Sequence, residues 1–181
     1  MYKRQSQYSC VSNNKSKRII VASSGKIESL DPARASTLKS LQLLSSLGDT
    51  LYELNSEGEL IPELASGMPI FSKDKLQIIV YLKRNILFHD GTSFNSNAIK
   101  FSFDRFKRIG TMNYILGNKI KSIETPSEYK VIINLNKPSS SINGLLTSVN
   151  LTPISPTYYK DYSDKFSVSY THLRAHETKT D

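Results

Sequence analysis

The segment 76–106 constrains the fold more than any other, because it carries the signals of a strand, a turn and a helix in direct succession. Apolar residues alternate with others over 76–82, which is the pattern of a half-buried strand. In His89-Asp90-Gly91-Thr92 the glycine is free to adopt a positive φ and the aspartate can bond its own backbone, so the chain is expected to reverse there. Asn95 or Ser96 can then cap a helix. The apolar face of that helix is formed by residues at helical spacing, namely Ile99, Phe103 and Phe106.

Length, charge and cysteine content exclude several classes of protein. The 181 residues suffice for a domain with its own core, and no apolar run reaches the ~18 residues of a membrane span. The net charge of +8 is scattered along the chain rather than gathered in a stripe, so we predict a solvated surface and no nucleic-acid partner. The single cysteine excludes an intrachain disulfide and a zinc site built from cysteines alone.

Both ends of the chain resemble translated sequencing-adapter DNA rather than natural protein. Residues 1–5 carry this resemblance at the start, and residues 169–178 carry it at the end. We therefore predict that 168–181 is a tail that is not native. His172 and His176 in this tail have the i, i+4 spacing of a zinc pair, but no third ligand accompanies them, so no metal site is predicted.

Cys10 stands just ahead of a polar run, residues 11–17, whose composition is typical of a flexible linker. A cysteine in this position, preceded by the small residue Ser9, resembles the lipidated cysteine of a bacterial lipoprotein, although the two residues before Ser9 are not the usual apolar ones. A lipidation site and an ordinary cysteine both remain open. Residues 1–17 are thus predicted to contain adapter-derived residues, a lipoprotein-like cysteine and a linker.

His89 and Asp90 concentrate polar chemistry and admit two interpretations. The catalytic one is a general base with an orienting carboxylate. Against it, neighbours in an extended chain point to opposite faces, and no nucleophile elbow, phosphate-binding loop or Cys–His pair accompanies them. We therefore predict no catalytic residue but a structural turn, in which Asp90 bonds backbone amides and His89 packs or bonds across it.

Elsewhere, short helices and strands alternate. A strand is predicted at 18–22. Leucines at spacings of three from Leu38 to Leu47 predict a helix from about Ser36, which either ends at Gly48 or continues through Leu51 and Tyr52. Thr125-Pro126-Ser127-Glu128 predicts a turn, the alternation over 129–135 predicts a strand, and 139–146 predicts a short capped helix. This succession is typical of an α/β protein.

Several short motifs match those of a known family in an order and spacing that chance does not explain. They are Leu30-Asp31-Pro32, Leu51-Tyr52-Glu53, Gly58, Ile61-Pro62-Glu63-Leu64-Ala65, Phe88-His89-Asp90-Gly91, Phe94, Ala98-Ile99-Lys100-Phe101-Ser102 and Arg105. From Ile19 to Tyr159 the chain resembles the amino-terminal portion of family 5 solute-binding proteins, the extracytoplasmic receptors of ABC importers for peptides, nickel and related solutes. Two departures are the absence of a tryptophan before the turn, and Asn97 near a place where the family commonly has an aspartate.

The resemblance implies an α/β fold in which residues 18–167 form the amino-terminal portion of the first lobe of a two-lobed, class II periplasmic-binding-protein-like receptor. The structural signature of the family is Phe88-His89-Asp90-Gly91, and the second lobe is missing from this chain. The resemblance also places four residues near the ligand, where their backbone groups would pair with an extended solute as an added strand does. These residues, small and neutral in the main, are Ala35, Ser36, Thr37 and Leu38.

The implied function is capture of a peptide or a related small solute, with nickel as an alternative, and its delivery to ABC permease subunits. The protein would act in the periplasm or on the extracytoplasmic face of the membrane, anchored there if Cys10 is lipidated. The resemblance implies no enzymatic activity, no cofactor and no nucleic-acid partner. Two alternatives remain: a fragment without independent function, because half of a clamp exposes apolar surface meant for the other half, and an enzyme centred on His89-Asp90.

Overall fold

The computed structural model describes residues 27–116 and 118–161. The predicted strand at 18–22, Cys10 and both predicted adapter-derived ends lie outside the described residues. In chain order the described elements are α1 (Leu38–Leu44), β1 (Tyr52–Leu54), β2 (Leu60–Pro62), β3 (Ile70–Phe71), β4 (Gln77–Tyr81), α2 (Ser96–Ile109), α3 (Asn113–Leu116), β5 (Ile120–Ser127), β6 (Lys130–Leu135), α4 (Ile142–Leu146), a 3-10 helix (Val149–Leu151) and α5 (Pro156–Asp161).

The main sheet has four strands in the order β3–β4–β6–β5, and each neighbouring pair is antiparallel. In its centre, Ile78 lies opposite Ile133 and Val80 lies opposite Val131. All four side chains are buried, so one face of β4 and β6 forms the core, as the alternating patterns predicted. A separate hairpin pairs β1 with β2.

Helix α2 packs against the sheet through β5 and β6. Asn95 begins it, because its side-chain oxygen accepts hydrogen bonds from the N–H groups of Asn97 and Ala98 at 3.0 and 3.4 Å. The predicted helix and its cap are therefore confirmed. The helix buries the predicted apolar side chains Ile99, Phe103 and Phe106, and also Ala98.

The turn predicted at 125–128 is wrong in its position, since β5 continues through Ser127 and the chain reverses at Glu128 and Tyr129. Because β5 lies at the edge of the sheet, Pro126 can occupy it without removing a donor from an interior ladder. The pairing register with β6 shifts between Glu124 and Ser127, as a β-bulge would shift it.

The helix predicted from about Ser36 to Gly48 or beyond is shorter in the structure, where α1 spans Leu38–Leu44. A spacing of three residues drifts by about 60° per step around a helix of 3.6 residues per turn, so the leucines do not share one face. Leu44 is buried, whereas Leu38 is 68% exposed. The exposed start of α1 places Leu38 on the surface, directly after the other three predicted ligand-binding residues.

Candidate ligand-binding segment

The reversal at Phe88–Thr92 is built by its own backbone and by Asp90. The Phe88 N–H donates to the Thr92 carbonyl at 2.8 Å, and the Gly91 N–H donates to the Phe88 carbonyl at 2.9 Å, with Gly91 at a φ of +80°. Asp90 Oδ1 accepts from the N–H and the hydroxyl of Thr92 at 2.9 and 2.6 Å. The predicted bonding of Asp90 to the backbone is therefore present.

The electrostatics of this turn fit a structural role. Partial desolvation raises the pKa of Asp90, but hydrogen bonds from Ser155 and Thr92 outweigh it and hold that pKa below its usual range. His89 is exposed, so the packing that we predicted for its ring across the turn is not seen within the described part of the chain. Phe88 is buried and meets Phe94 edge-to-face with ring centroids 6.1 Å apart. The signature thus anchors a corner of the core.

The predicted ligand-binding residues follow a buried ion pair. Both guanidinium NH groups of Arg105, in α2, donate to the two carboxylate oxygens of Asp31 at 2.7 and 2.6 Å. The side chains are only 2% and 3% exposed, so the charges are removed from water. The Arg105 guanidinium also lies 4.5 Å from the centre of the Tyr159 ring. These contacts fix the start of the segment to α2 and α5.

The carbonyl groups of the next four residues are also held. The side-chain amide of Asn150 donates to the carbonyls of Pro32 and Ala35 at 2.7 and 2.8 Å. The N–H and the hydroxyl of Thr111 donate to the carbonyls of Ala33 and Arg34, each at 3.0 Å. The loop 31–35 is therefore fixed by side chains from two distant parts of the chain.

The structure separates the four predicted ligand-binding residues into two groups. Ala35 is completely buried, and its carbonyl is used by Asn150, so it supports the segment from the inside. Ser36 and Thr37 are half-buried, and Leu38 is exposed. The Thr37 hydroxyl accepts from the Ser40 N–H at 3.4 Å and caps α1. We call residues Ser36, Thr37 and Leu38 the presented segment.

Backbone groups of the presented segment are available for bonding. Among residues 27–116 and 118–161, no partner is found for the N–H or the carbonyl of Ser36, or for the N–H of Thr37. Unpaired groups of this kind in a half-buried position are the groups that an extended ligand can satisfy by adding a strand. The segment carries no charge, so its side chains select no particular ionic group.

The described residues also border two concave regions. The larger, about 530 Å³, lies near the amino-terminal end of α2 and includes Arg84, whose guanidinium is 5.2 Å from the centre of the Tyr129 ring. The smaller, about 310 Å³, includes Glu63, whose carboxylate accepts from the Thr50 N–H at 2.8 Å. Neither includes the presented segment.

Glu63 has an unusual protonation equilibrium. Its pKa is raised to about 7, chiefly because the carboxyl is partly buried and also because the carboxylates of Asp49 and Glu53 lie nearby; two hydrogen bonds from Thr50 oppose this rise. The group therefore gains a proton near neutral pH. Within the described ranges no group of three His, Cys, Asp or Glu residues is arranged to hold a metal ion, and no helix is long and apolar enough to cross a bilayer.

Sequence reasoning missed the residues that support the presented segment. Asp31 and Arg105 were each part of a recognised motif, but nothing local indicated that they pair across 74 positions. Asn150 belonged to no motif, and its bond to Ala35 spans 115 positions. A buried polar residue needs partners, so the signal was limited to Asn150 lying between the apolar residues Val149 and Leu151.

Comparison with known proteins places this arrangement in a family. The family model described as bacterial extracellular solute-binding proteins, family 5 Middle, matches residues 59–173. The glutathione-binding protein GsiB of Escherichia coli strain K12 is 30% identical over 148 residues, which make up 81% of this chain and 29% of GsiB. The chain therefore spans less than a third of the length of the curated relatives that it matches.

Solved structures share the fold. OppA of Listeria monocytogenes, solved bound to peptide, superposes with a TM-score of 0.75 at 21% identity, covering 80% of this chain and 32% of OppA. DppA of Helicobacter pylori, an ABC transporter-associated periplasmic binding protein in complex with the peptide STSA, gives a TM-score of 0.65 at 25% identity, covering 74% and 30%. The described residues thus form part of a lobe of a periplasmic-binding-protein fold, as predicted. The chain belongs to the bacterial extracellular solute-binding proteins of family 5.

Proposed function

We propose that this chain is part of the substrate-binding component of an ABC importer, which captures a peptide or a related small solute outside the cytoplasm and delivers it to the permease. One observation carries the choice of a peptide-like solute. Backbone groups of Ser36 and Thr37 have no partner among the described residues, while the loop before them is fixed on two sides. A peptide presents alternating carbonyl and N–H groups, which match such a segment.

The named ligands of the relatives support this choice. GsiB is a glutathione-binding protein, and OppA and DppA were solved with peptides. Glutathione and these peptides share amide groups and free carboxylates. The neutral presented segment suits a ligand that is recognised by its backbone here and by its ends elsewhere in the receptor.

Capture would proceed by closure of two lobes around the solute. This chain supplies part of the first lobe, and the part that it matches is 29% of the length of GsiB. The unpaired N–H groups of the presented segment would bond the solute only when the second lobe closes over it. Binding energy would then be shared between the lobes, and the closed form would be the one that the permease receives.

A thermal-shift screen of the protein from the complete reading frame tests this proposal. The probes are reduced glutathione, Ala-Ala-Ala and Ni²⁺, each over a range of concentrations. A solute that binds only the folded state stabilises it by about 2.7 kcal/mol at 100 times its Kd, so the midpoint should rise with concentration. We expect a rise with a peptide-like probe. A rise with Ni²⁺ alone would favour the nickel alternative, and no rise with any probe would contradict the receptor function.

The 181-residue chain is the matched control in the same screen. If closure between two lobes creates the site, this chain alone should show no rise with the probe that stabilises the complete protein. That result would also agree with the alternative that the chain has no independent function. An equal rise in both proteins would contradict a site shared between lobes.

We propose a structural role and no catalytic one for His89-Asp90, because Asp90 is engaged with the N–H and the hydroxyl of Thr92 within the turn. Extracytoplasmic localisation, the lipidation of Cys10 and the boundaries at 17 and 168 stay predictions. Fatty-acid labelling of the expressed protein and of its Cys10→Ser variant tests the anchor. Label on the parent and none on the variant supports lipidation, and no label on either contradicts it.

A further inference from the structure

We propose that Asn150 is a positioning residue, which orients the backbone N–H of Ser36 toward a carbonyl or carboxylate oxygen of the solute. The inference rests on the proposed function for the identity of the acceptor. The positioning itself rests on the geometry of the free chain. It assigns a role to a residue that belongs to none of the sequence motifs.

Asn150 uses both N–H donors of one side-chain amide on a single turn of the backbone. The amide nitrogen lies 2.7 Å from the Pro32 carbonyl oxygen and 2.8 Å from the Ala35 carbonyl oxygen. Asn150 is 8% exposed, and it lies in the 3-10 helix Val149–Leu151. A buried amide whose two N–H groups bond the carbonyls of Pro32 and Ala35 fixes these two ends of the turn relative to each other.

The peptide unit between Ala35 and Ser36 transmits this constraint. In a trans peptide the C=O of one residue and the N–H of the next lie in one plane and point in opposite directions. Asn150 draws the Ala35 carbonyl toward the buried side, so the Ser36 N–H points away from it. This N–H has no partner among the described residues. The hydrogen bond from Asn150 to the Ala35 carbonyl therefore orients the Ser36 N–H outward, because both groups belong to one peptide plane.

The peptide unit between Pro32 and Ala33 is clamped in the same way. Its carbonyl accepts from Asn150, and its N–H donates to Asp31 Oδ1 at 3.0 Å. Asp31 is in turn held by Arg105. The Pro32–Ala33 peptide plane is thus held at both its carbonyl and its N–H, whereas the Ala35–Ser36 plane is held only at its carbonyl. Within the described residues, the Ser36 N–H is therefore the donor available to a ligand.

Nuclear magnetic resonance on the 181-residue chain tests the positioning without a ligand. The readout is the ¹⁵N order parameter of the Ser36 amide, compared with that of Val131 in the centre of the sheet. Rigid backbone gives about 0.85 and flexible backbone less than about 0.6. We expect Ser36 to be as rigid as Val131 in the parent and to fall below about 0.6 in Asn150→Ala, while Val131 stays unchanged. Asn143→Ala, an exposed site in α4, is the control and should change neither amide.

A second variant keeps the test decisive if Asn150→Ala unfolds. Asn150→Leu keeps a side chain of similar size and branching but has no donor at any pH. Ser36 should therefore be mobile in this variant, while Val131 stays rigid. A Ser36 amide that remains as rigid as Val131 in a folded variant without a donor at this position would overturn the inference. So would a loss of rigidity at Val131 equal to that at Ser36.

Binding to the complete protein tests the acceptor. The probe is Ala-Ala-Ala, and loss of one oriented hydrogen bond in Asn150→Leu should weaken its binding about five- to tenfold. Unchanged affinity in the variant would overturn the role of this N–H in ligand binding. If the parent binds no probe, the proposed function fails, whereas the order parameters still decide whether Asn150 positions Ser36.

Discussion

Substitution of Arg105 by methionine removes one partner of the buried ion pair and leaves the Asp31 carboxylate in a site that is 3% exposed. Its remaining contacts are the Ala33 N–H at 3.0 Å and the Arg34 guanidinium at 3.8 Å, which replace two charge-assisted hydrogen bonds poorly. Breaking a buried pair in this way costs about 3–5 kcal/mol. Since domains are stable by about 5–15 kcal/mol, we expect Arg105→Met to lose a large part of the free energy of unfolding.

Urea unfolding of the 181-residue chain, followed by circular dichroism, measures the effect. With a slope of about 1–3 kcal/mol per molar urea, the midpoint should fall by about 1 M or more. Lys100→Met on the same helix is the matched control, because it breaks an exposed i, i+4 pair with Asp104 that is worth about 0.3–0.5 kcal/mol. Equal shifts for Arg105→Met and Lys100→Met would refute the reasoning.

Three further predictions concern local structure. The pKa of Glu63 is raised to about 7 in the folded protein, so the free energy of unfolding should fall as the pH rises from about 4.5 to 7. Glu63→Gln should therefore raise Tm at pH 8 but not at pH 4. No gain at pH 8 would contradict this. Gly91→Ala should destabilise the fold by about 1–2 kcal/mol, because Gly91 has a φ of +80°. Gly144→Ala should stabilise it by about 0.5–1 kcal/mol, because glycine is unfavourable inside a helix such as α4. Shifts of the same sign in urea unfolding would refute the backbone argument. Asn95→Ala should cost about 1 kcal/mol through the lost cap of α2, and an unchanged urea midpoint would argue against that cap.

The corner around Phe88 was predictable because its signals are local. A glycine free to adopt positive φ, an aspartate two residues before a bonded N–H, and an asparagine ahead of an apolar helical face each act over a few residues. The turn at 125–128 was misplaced for a related reason. Proline usually marks the end of a strand, but Pro126 is tolerated because β5 lies at the edge of the sheet. That position is a property of the whole sheet and not of the neighbouring sequence.

The support of the presented segment was not predictable from local patterns. Ser36 and Thr37 were placed near the ligand by resemblance alone, and that role remains a prediction. Arg105 on α2 and Asn150 on the 3-10 helix reach this segment only after the chain has folded. Hydrophobic periodicity reports which face of a helix is buried, but it does not report which buried polar group meets which partner.

Amide hydrogen exchange at Ser36 in the complete protein tests the central claim most directly. In the free protein this N–H has no partner within the described residues, so its exchange should be fast. Saturation with the peptide-like probe that raises the thermal midpoint should slow exchange at Ser36, because the solute supplies the missing acceptor. Stabilisation by such a probe with unchanged exchange at Ser36 would contradict the account.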